Sequence, residues 1–295
     1  MLISIITPTF NRSELLKNCF KSLTEQSVTN FEWIIVDDGS SDQTENVVND
    51  FLNMETTFPI LYYKKNNGGK HTALNFAMDK INGDVCCILD SDDIFLPEAI
   101  AEINNEWLSY FKDQTIGVVC FLRGFDPENA ISHISEGTKI VSNHIDYRIN
   151  QGIKGDFCET IRVNTFKKFR FPVFPEEKFF SEGWLWTNIG IGYKTVYVNK
   201  IIYLTEYRDD GLTRAGRALR LKSPKAGMLN SYVQMNKKIK MKYRLKQGIL
   251  YNVYKSRVRE SDRKKIIKQN DYRLIRGITK PISWVLSYYW NKKFL

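Results

Sequence analysis

Three carboxylates crowd the stretch ILDSDDIFLP (88–97): Asp90, Asp92 and Asp93 fall within four residues, directly after the apolar run VCCIL (85–89). Charges of one sign packed so closely repel unless something positive sits among them. Hard divalent cations such as Mg²⁺ and Mn²⁺ select carboxylate oxygens. Mg²⁺ usually takes one or two of them together with substrate phosphates. The pattern therefore predicts a metal that carries a diphosphate. A second cluster, Asn66-Asn67-Gly68-Gly69-Lys70-His71, offers backbone N–H groups and one cation where a helical pattern begins, which suits phosphate or ribose. It lacks the GxxxxGK[ST] spacing of a P-loop, and no GxGxxG follows the first apolar run, which weighs against a dinucleotide site.

The elements that must position these groups follow a regular rhythm. Apolar runs at 2–7, 31–37, 60–64 and 84–90 predict buried parallel strands. Helical patterns lie between them, at 13–26, 42–53, 70–81 and 97–111. Strand, helix, strand with short links predicts an α/β fold with a parallel sheet. Asp42 with Glu45 fits a capping box, Pro97 a first helical position, and Asn82-Gly83 a helix end. In an open α/β sheet, ligands bind outside the carboxyl ends of the strands. Those ends here are Thr7–Arg12, Asp37–Asp42, Asn66–His71 and Asp90–Asp93. Asp-Gly and Asn-Gly are also ordinary turn formers. Four polar strand ends in succession nonetheless predict one shared crevice.

After about residue 115 the rhythm changes. A strand is expected at 117–125, short strands and loops over 126–165, and a loop through Pro175. A helix at 179–190, a turn near Gly192, a strand at 195–206 and basic helices from 215 onward complete the reading.

Composition bounds the class. The 295 residues are 43% hydrophobic, 13% aromatic and 26% charged, as in a globular protein. Five cysteines without CxxC spacing and three scattered histidines argue against a disulfide framework or a zinc site. No signal peptide and no apolar run long enough to span a bilayer stand out, so a cytoplasmic address is expected. Residues 1–210 carry 20 Lys/Arg against 30 Asp/Glu, whereas residues 211–295 carry 23 against 3. The two parts must have different neighbours.

The ordered set PTFNR, VDDGSSD, NNGGKHTALN and ILDSDD resembles the nucleotide-sugar-binding domain of family 2 glycosyltransferases of the GT-A fold. The resemblance is strong over residues 2–110 and looser to about 213. It implies a GT-A catalytic domain over 1–215, with a nucleotide-binding half (1–110) and an acceptor-binding half (111–215), followed by a basic helical region (216–295). It implies that Pro8, Thr9 and Arg12 contribute to nucleotide binding, that Asp38 holds uracil or ribose, and that Gly69 and Lys70 lie near base or phosphate. The D-x-D motif maps onto Asp90-Ser91-Asp92, with Asp90 near the ribose and Asp92 on Mn²⁺ or Mg²⁺. Asp93 is an extra acid that orients its neighbours. The family's catalytic base maps onto Glu182 in FPEEKFFSEGWLW; Gly183 stands where the family often has Asp, so Glu176 and Glu177 compete. Trp184 and Trp186 follow as aromatic faces for a sugar. Arg214 and Arg217, in EYRDDGLTRAGR, are expected to clamp phosphates, since no histidine occurs there to ligate a metal.

The resemblance implies an inverting transferase that moves a sugar from a nucleotide diphosphate, UDP-linked by expectation, to a glycan or lipid-linked acceptor in surface-polysaccharide synthesis. The rival readings are a nucleotidyltransferase, for which PTFNR is a poor triphosphate loop, and a non-catalytic carbohydrate- or membrane-binding scaffold. Residues 222–295 mix Lys and Arg with Trp and Tyr, which suits an anionic membrane surface and a peripheral location on the inner face of the membrane. Packing on the domain or a homo-oligomer is the alternative, and no nucleic-acid recognition motif is present.

Overall fold

A computed structural model describes all residues except 135–136, 207–211, 268–270 and 295, with the side chains of 212–215 also outside the description. The chain forms two compact units that interleave in sequence. One comprises Met1–Asn143, Ile153–Arg170 and Gly192–Glu206; the other comprises His144–Gly152, Phe171–Ile191 and Tyr207–Leu295.

The first unit is built on one sheet. Its elements are β1 (Ile3–Thr9), α1 (Ser13–Thr24), β2 (Phe31–Asp37), α2 (Thr44–Asn53), β3 (Ile60–Lys64), α3 (Lys70–Ala77), β4 (Val85–Ile88), β5 (Ile94–Phe95), α4 (Ala99–Tyr110), β6 (Ile116–Gly124), β7 (Lys139–Ser142), β8 (Phe157–Arg162), α5 (Val163–Phe166) and β9 (Lys194–Leu204). The strand order is β3-β2-β1-β4-β8-β6-β9-β5, with β7 also on β9. Strands β3, β2, β1 and β4 run parallel, β8 is antiparallel to both β4 and β6, and β9 is parallel to β6. The chain leaves β1 toward β2 and β3, then returns to β4 on the other side. This reversal makes the β1/β4 edge the switch point at which an open α/β sheet binds ligands.

Every residue of β1, β2 and β4 is buried, as expected of parallel strands covered on both faces. Ile3, Ile5, Trp33 and Ile35 share a core with Leu16 and Cys19 of α1 and with Val47, Val48 and Phe51 of α2. The Phe20 and Phe51 rings stack at 4.1 Å. Helix α3 packs against β1 and β2.

Several local expectations change. Asp42 caps by an Asx turn rather than a capping box: its Oδ1 accepts the Thr44 N–H and hydroxyl, while Glu45 pairs with Lys64. Helix α3 ends at Ala77, and Pro97 lies in the turn before α4. Two strands escaped the reading as separate elements: β5, only two residues long, and β8, which lies in mid-sheet between β4 and β6.

The second unit is helical. A π-helical turn (His144–Ile149) and α6 (Gly183–Gly192) precede α7 (Leu212–Leu221), α8 (Pro224–Val233), α9 (Met241–Lys255), α10 (Glu260–Ile266), α11 (Arg273–Ile278) and α12 (Lys280–Phe294). Helix α9 packs on α8, α11 and α12 around Met228, Met235, Tyr251, Tyr254 and Trp290. On α12, Trp284 is 78% and Tyr288 74% exposed. Among the described residues, no helix is long and apolar enough to cross a membrane.

Candidate active site

The first three strand-end loops of the first unit are tied into one edge. The Asp38 N–H donates to the Thr9 carbonyl, the Asn11 N–H to Ser40 Oγ, and the Ser41 N–H to Asn11 Oδ1. Asp37 is turned inward, where its carboxylate accepts the Ser40 N–H and the Tyr62 hydroxyl. Asp38 is also buried. Its Oδ1 accepts from Lys65 Nζ at 2.5 Å and the Gly68 N–H at 3.0 Å; its Oδ2 accepts from the Gly69 N–H at 2.6 Å and Asn67 Nδ2 at 3.2 Å. The loop N–H groups read in the sequence as phosphate donors are thus engaged by a carboxylate of the chain itself. Gly39 and Gly69 have φ of +84° and +93°, a region that strains any residue with a Cβ. A Cβ on Gly39 would also lie 2.9 Å from the Asn67 nitrogen.

Lys70, the first residue of α3, points its ammonium at Asp90 Oδ1, 2.6 Å away. The acid turn is further held from β6 and β9. Arg123 Nη1 lies 3.6 Å from Asp93 Oδ2 and 4.0 Å from Asp90 Oδ2, and its guanidinium stacks over the Tyr203 ring at 4.0 Å. The Tyr203 hydroxyl accepts the Asp90 N–H at 3.1 Å and donates to Asp93 Oδ2 at 2.7 Å. Strand β5 then pins the exit of the turn by pairing Phe95 with Tyr203.

The three acids therefore have separate environments. Burial opposes the Asp90 carboxylate, but the Lys70 and Arg123 charges outweigh it and lower its pKa. Burial, then repulsion from Asp90, pushes Asp93 up to about 7. Asp92 is raised as well, by burial and then by Asp90, with Arg12 and Lys70 opposing. Yet Asp92 is partly exposed, and among the described residues its carboxylate meets no cationic side chain at ion-pair distance. Pro8 is buried near the end of β1 and Ser91 is buried next to Asp92 in sequence, and Thr9 Oγ1 is buried with no hydrogen-bond partner among the described residues.

These observations test the fit of a divalent metal. Among the described residues, no group of three His, Cys, Asp or Glu side chains can hold an ion. A cation that takes one carboxylate and completes its shell with substrate phosphates needs no such group. Asp92, destabilised in its charged form and beyond ion-pair distance of every described cation, fits that requirement.

Sequence reasoning missed Arg123, Tyr203 and Lys65. The signal for Arg123 was present: a lone cation near the end of the apolar run GVVCFLRGF. Tyr203 carried none, because a tyrosine in a strand is ordinary core.

The remaining candidates belong to the second unit. Glu182 is partly buried directly before α6, and its carbonyl accepts the Trp186 N–H. Its competitors are engaged elsewhere. The Glu177 carboxylate is buried and accepts the Lys225 N–H at 2.7 Å and the Ala226 N–H at 2.8 Å, which caps α8. Glu176 pairs with the Lys225 ammonium. Trp184 packs in an aromatic cluster with Phe171 and Phe180. Arg217 lies over the Trp290 ring at 4.7 Å, and the Arg214 side chain lies outside the described residues.

Comparison with known proteins agrees with this architecture. Residues 4–174 match the model of glycosyl transferase family 2. The chain is 30% identical over 116 residues to the glycosyltransferase GlyG of Streptococcus pneumoniae, which covers 39% of this chain and 38% of that protein. It is 25% identical over 222 residues, 72% of this chain and 67% of the relative, to the GalNAc(5)-diNAcBac-PP-undecaprenol beta-1,3-glucosyltransferase of Campylobacter jejuni. In fold it resembles residues 1–349 of S. aureus TarS, solved in complex with UDP-GlcNAc. The TM-score is 0.64 at 17% identity, covering 97% of this chain and 79% of that one. Because the family match runs through the whole parallel half of the sheet and on through β8, the chain belongs to glycosyl transferase family 2.

Proposed function

We propose that this chain transfers a sugar, with inversion at the anomeric carbon, from a UDP-sugar to a hydroxyl of a glycan or lipid-linked acceptor in bacterial surface-polysaccharide synthesis, and that transfer depends on Mn²⁺ or Mg²⁺. Residues 1–215 form the catalytic domain and 216–295 its basic extension in this reading. The observation that carries it is Asp92, an acid with no described cation at ion-pair distance at the switch point of the sheet, in a turn whose other two acids are engaged. The names of the Campylobacter relative and of the TarS complex support a lipid-linked acceptor and a UDP-sugar donor respectively.

In this reading Asp92 holds the metal, which when bound supplies positive charge against the departing diphosphate. Lys70 faces the same charge from the start of α3. Asp90, fixed by Lys70 and Tyr203, accepts from the ribose, and Pro8, Thr9, Arg12 and Ser91 line the nucleoside. Asp38 acts through the glycine loop that it holds. Glu182 removes the proton from the acceptor hydroxyl as its oxygen attacks the anomeric carbon. The bond from that carbon to the diphosphate oxygen breaks, and the nucleoside diphosphate leaves with the electron pair. Trp184 offers a ring face to the sugar.

Thermal shift of the full chain with Mn²⁺ and UDP-, GDP- and dTDP-sugars tests the donor. UDP-sugars are expected to raise Tm only with Mn²⁺. A metal-independent shift removes the metal from the reading, and a shift by GDP-sugars alone replaces the nucleotide.

The exposed aromatics of α12, with Lys292 and Lys293 in its last turn, suit an anionic bilayer surface. Flotation with phosphatidylglycerol vesicles should fall in Trp284→Ser/Tyr288→Ser; undiminished flotation places the membrane contact elsewhere.

A further inference from the structure

The second unit holds a cavity of about 460 Å³ that the proposed chemistry does not use. Its volume falls within the range of about 300–1,000 Å³ typical of small-molecule sites. The walls come from α7, α8, α9 and α12, together with Phe179 and Ser181. Three cations border it, Arg217, Arg220 and Lys246, and among the described lining residues there is no Asp or Glu. The cations are felt inside: burial raises the Tyr254 phenol, while Arg220 and Arg217 pull against it. The ligand that this field favours is an anion.

One wall asks for more than charge. The Gln247 amide donates to Gln234 Oε1 at 2.6 Å, and the Gln234 amide donates to Asn230 Oδ1 at 3.2 Å. This relay fixes three side-chain amides along α8 and α9. It leaves Gln247 Oε1 buried without a hydrogen-bond donor among the described residues. Side-chain amides and hydroxyls pair with ligand hydroxyls as well as with anionic oxygens, which bare charge does not. The hydroxyls of Ser223 and Ser231 add further polar contacts, and Leu286 and Trp290 supply an apolar side. Anionic oxygens, several hydroxyls and an apolar ring face together describe a sugar joined to phosphate.

We propose that this cavity binds a glycosyl phosphate. Its identification with the acceptor rests on the function proposed above; the existence of the site does not. The same chemistry is presented by a free sugar phosphate and by the headgroup of a lipid-linked sugar.

The test is calorimetry on the full chain, with glucose 1-phosphate in one arm and a short-chain prenyl-diphosphate-linked GlcNAc in phosphatidylcholine vesicles in the other. Glucose and inorganic phosphate are the controls, and UDP with Mn²⁺ is measured in parallel. Binding in either arm is expected to weaken at least tenfold in Arg220→Gln/Lys246→Gln, and glucose alone should bind far more weakly. Binding confined to the vesicle arm identifies the lipid-linked source; binding in the soluble arm identifies the headgroup as sufficient. Gln247→Leu should weaken the glycosyl phosphate but not inorganic phosphate. The proposal is overturned by no binding in either arm, or by binding unchanged in the double variant. Binding that UDP displaces also overturns it, by placing the ligand in the donor site. Failure of UDP to bind, with glycosyl phosphate still bound, would instead count against the donor assignment alone.

Discussion

The acid turn of the first unit and the cation-lined cavity of the second treat charge in opposite ways. In the turn, Lys70, Arg123 and Tyr203 answer Asp90 and Asp93, and Asp92 alone of the three has no described cation at ion-pair distance. In the cavity, no carboxylate among the described lining residues answers the three cations. A nearly neutralised cluster leaves a small, sharply located demand, suited to one ion in one place. An unanswered cluster leaves a broad demand, suited to a ligand held by field and shape.

That contrast can be broken at its strongest point first. Asp92→Ala should lower transfer by about a thousandfold, the scale of losing a metal's charge stabilisation, with little change in Tm. Near-normal turnover would erase the difference between the three acids. Next, Glu182→Gln should lose about 10²–10⁴-fold in transfer while keeping donor affinity. Glu177→Gln should keep its turnover and lose about 1 kcal/mol of stability as the α8 cap weakens. The reverse pattern would exchange their roles.

A smaller effect is expected from Tyr203→Phe. It deprives Asp93 of a donor and the Asp90 N–H of an acceptor, costing about 1–3 kcal/mol of stability and weakening Mn²⁺-dependent UDP binding. Intact UDP affinity would make the hydroxyl purely structural. A last comparison takes one histidine from each unit. Burial holds His71 down at about 4 and His144 at about 3, the latter helped by Arg148. The unfolded chain, with histidines near 6.5, binds those protons first as pH falls. Stability is therefore intact above about 6.5 and lost toward pH 4, by at most about 1.4 kcal/mol per pH unit for each histidine. Urea denaturation at pH 7 and pH 5 measures the slope, and His71→Gln and His144→Gln should each flatten it. An unchanged slope in either variant would mean that its histidine protonates as freely in the fold as out of it.

Much of the first unit was legible because its strands are buried on both faces and its turns use Gly, Asn and Asp for plain steric reasons. The run from Thr7 to Asp93 placed four polar loops in one order, and the sheet does bring β1 and β4 side by side. The positive charge beside the acids was read as a metal alone. Two of the charges are Lys70 and Arg123, and Arg123 sits 30 residues beyond Asp93 on a strand whose neighbours no local pattern specifies. Strand β8 was obscured for a similar reason: FCETIR carries Glu159 and Arg162 within a central strand. The basic surplus after residue 210 was visible, but a count of charges cannot show that Arg220 and Lys246 border the same cavity.

The Asp38 carboxylate, seated on the Gly68 and Gly69 N–H groups, has a thermodynamic consequence. A slack loop would lose about 1–2 kcal/mol of backbone entropy per residue on closing around a donor. Here that loss is incurred when the chain folds. On the proposed function, a donor would meet a loop already in its working shape, and its affinity would reflect the contacts it makes and very little ordering of the protein.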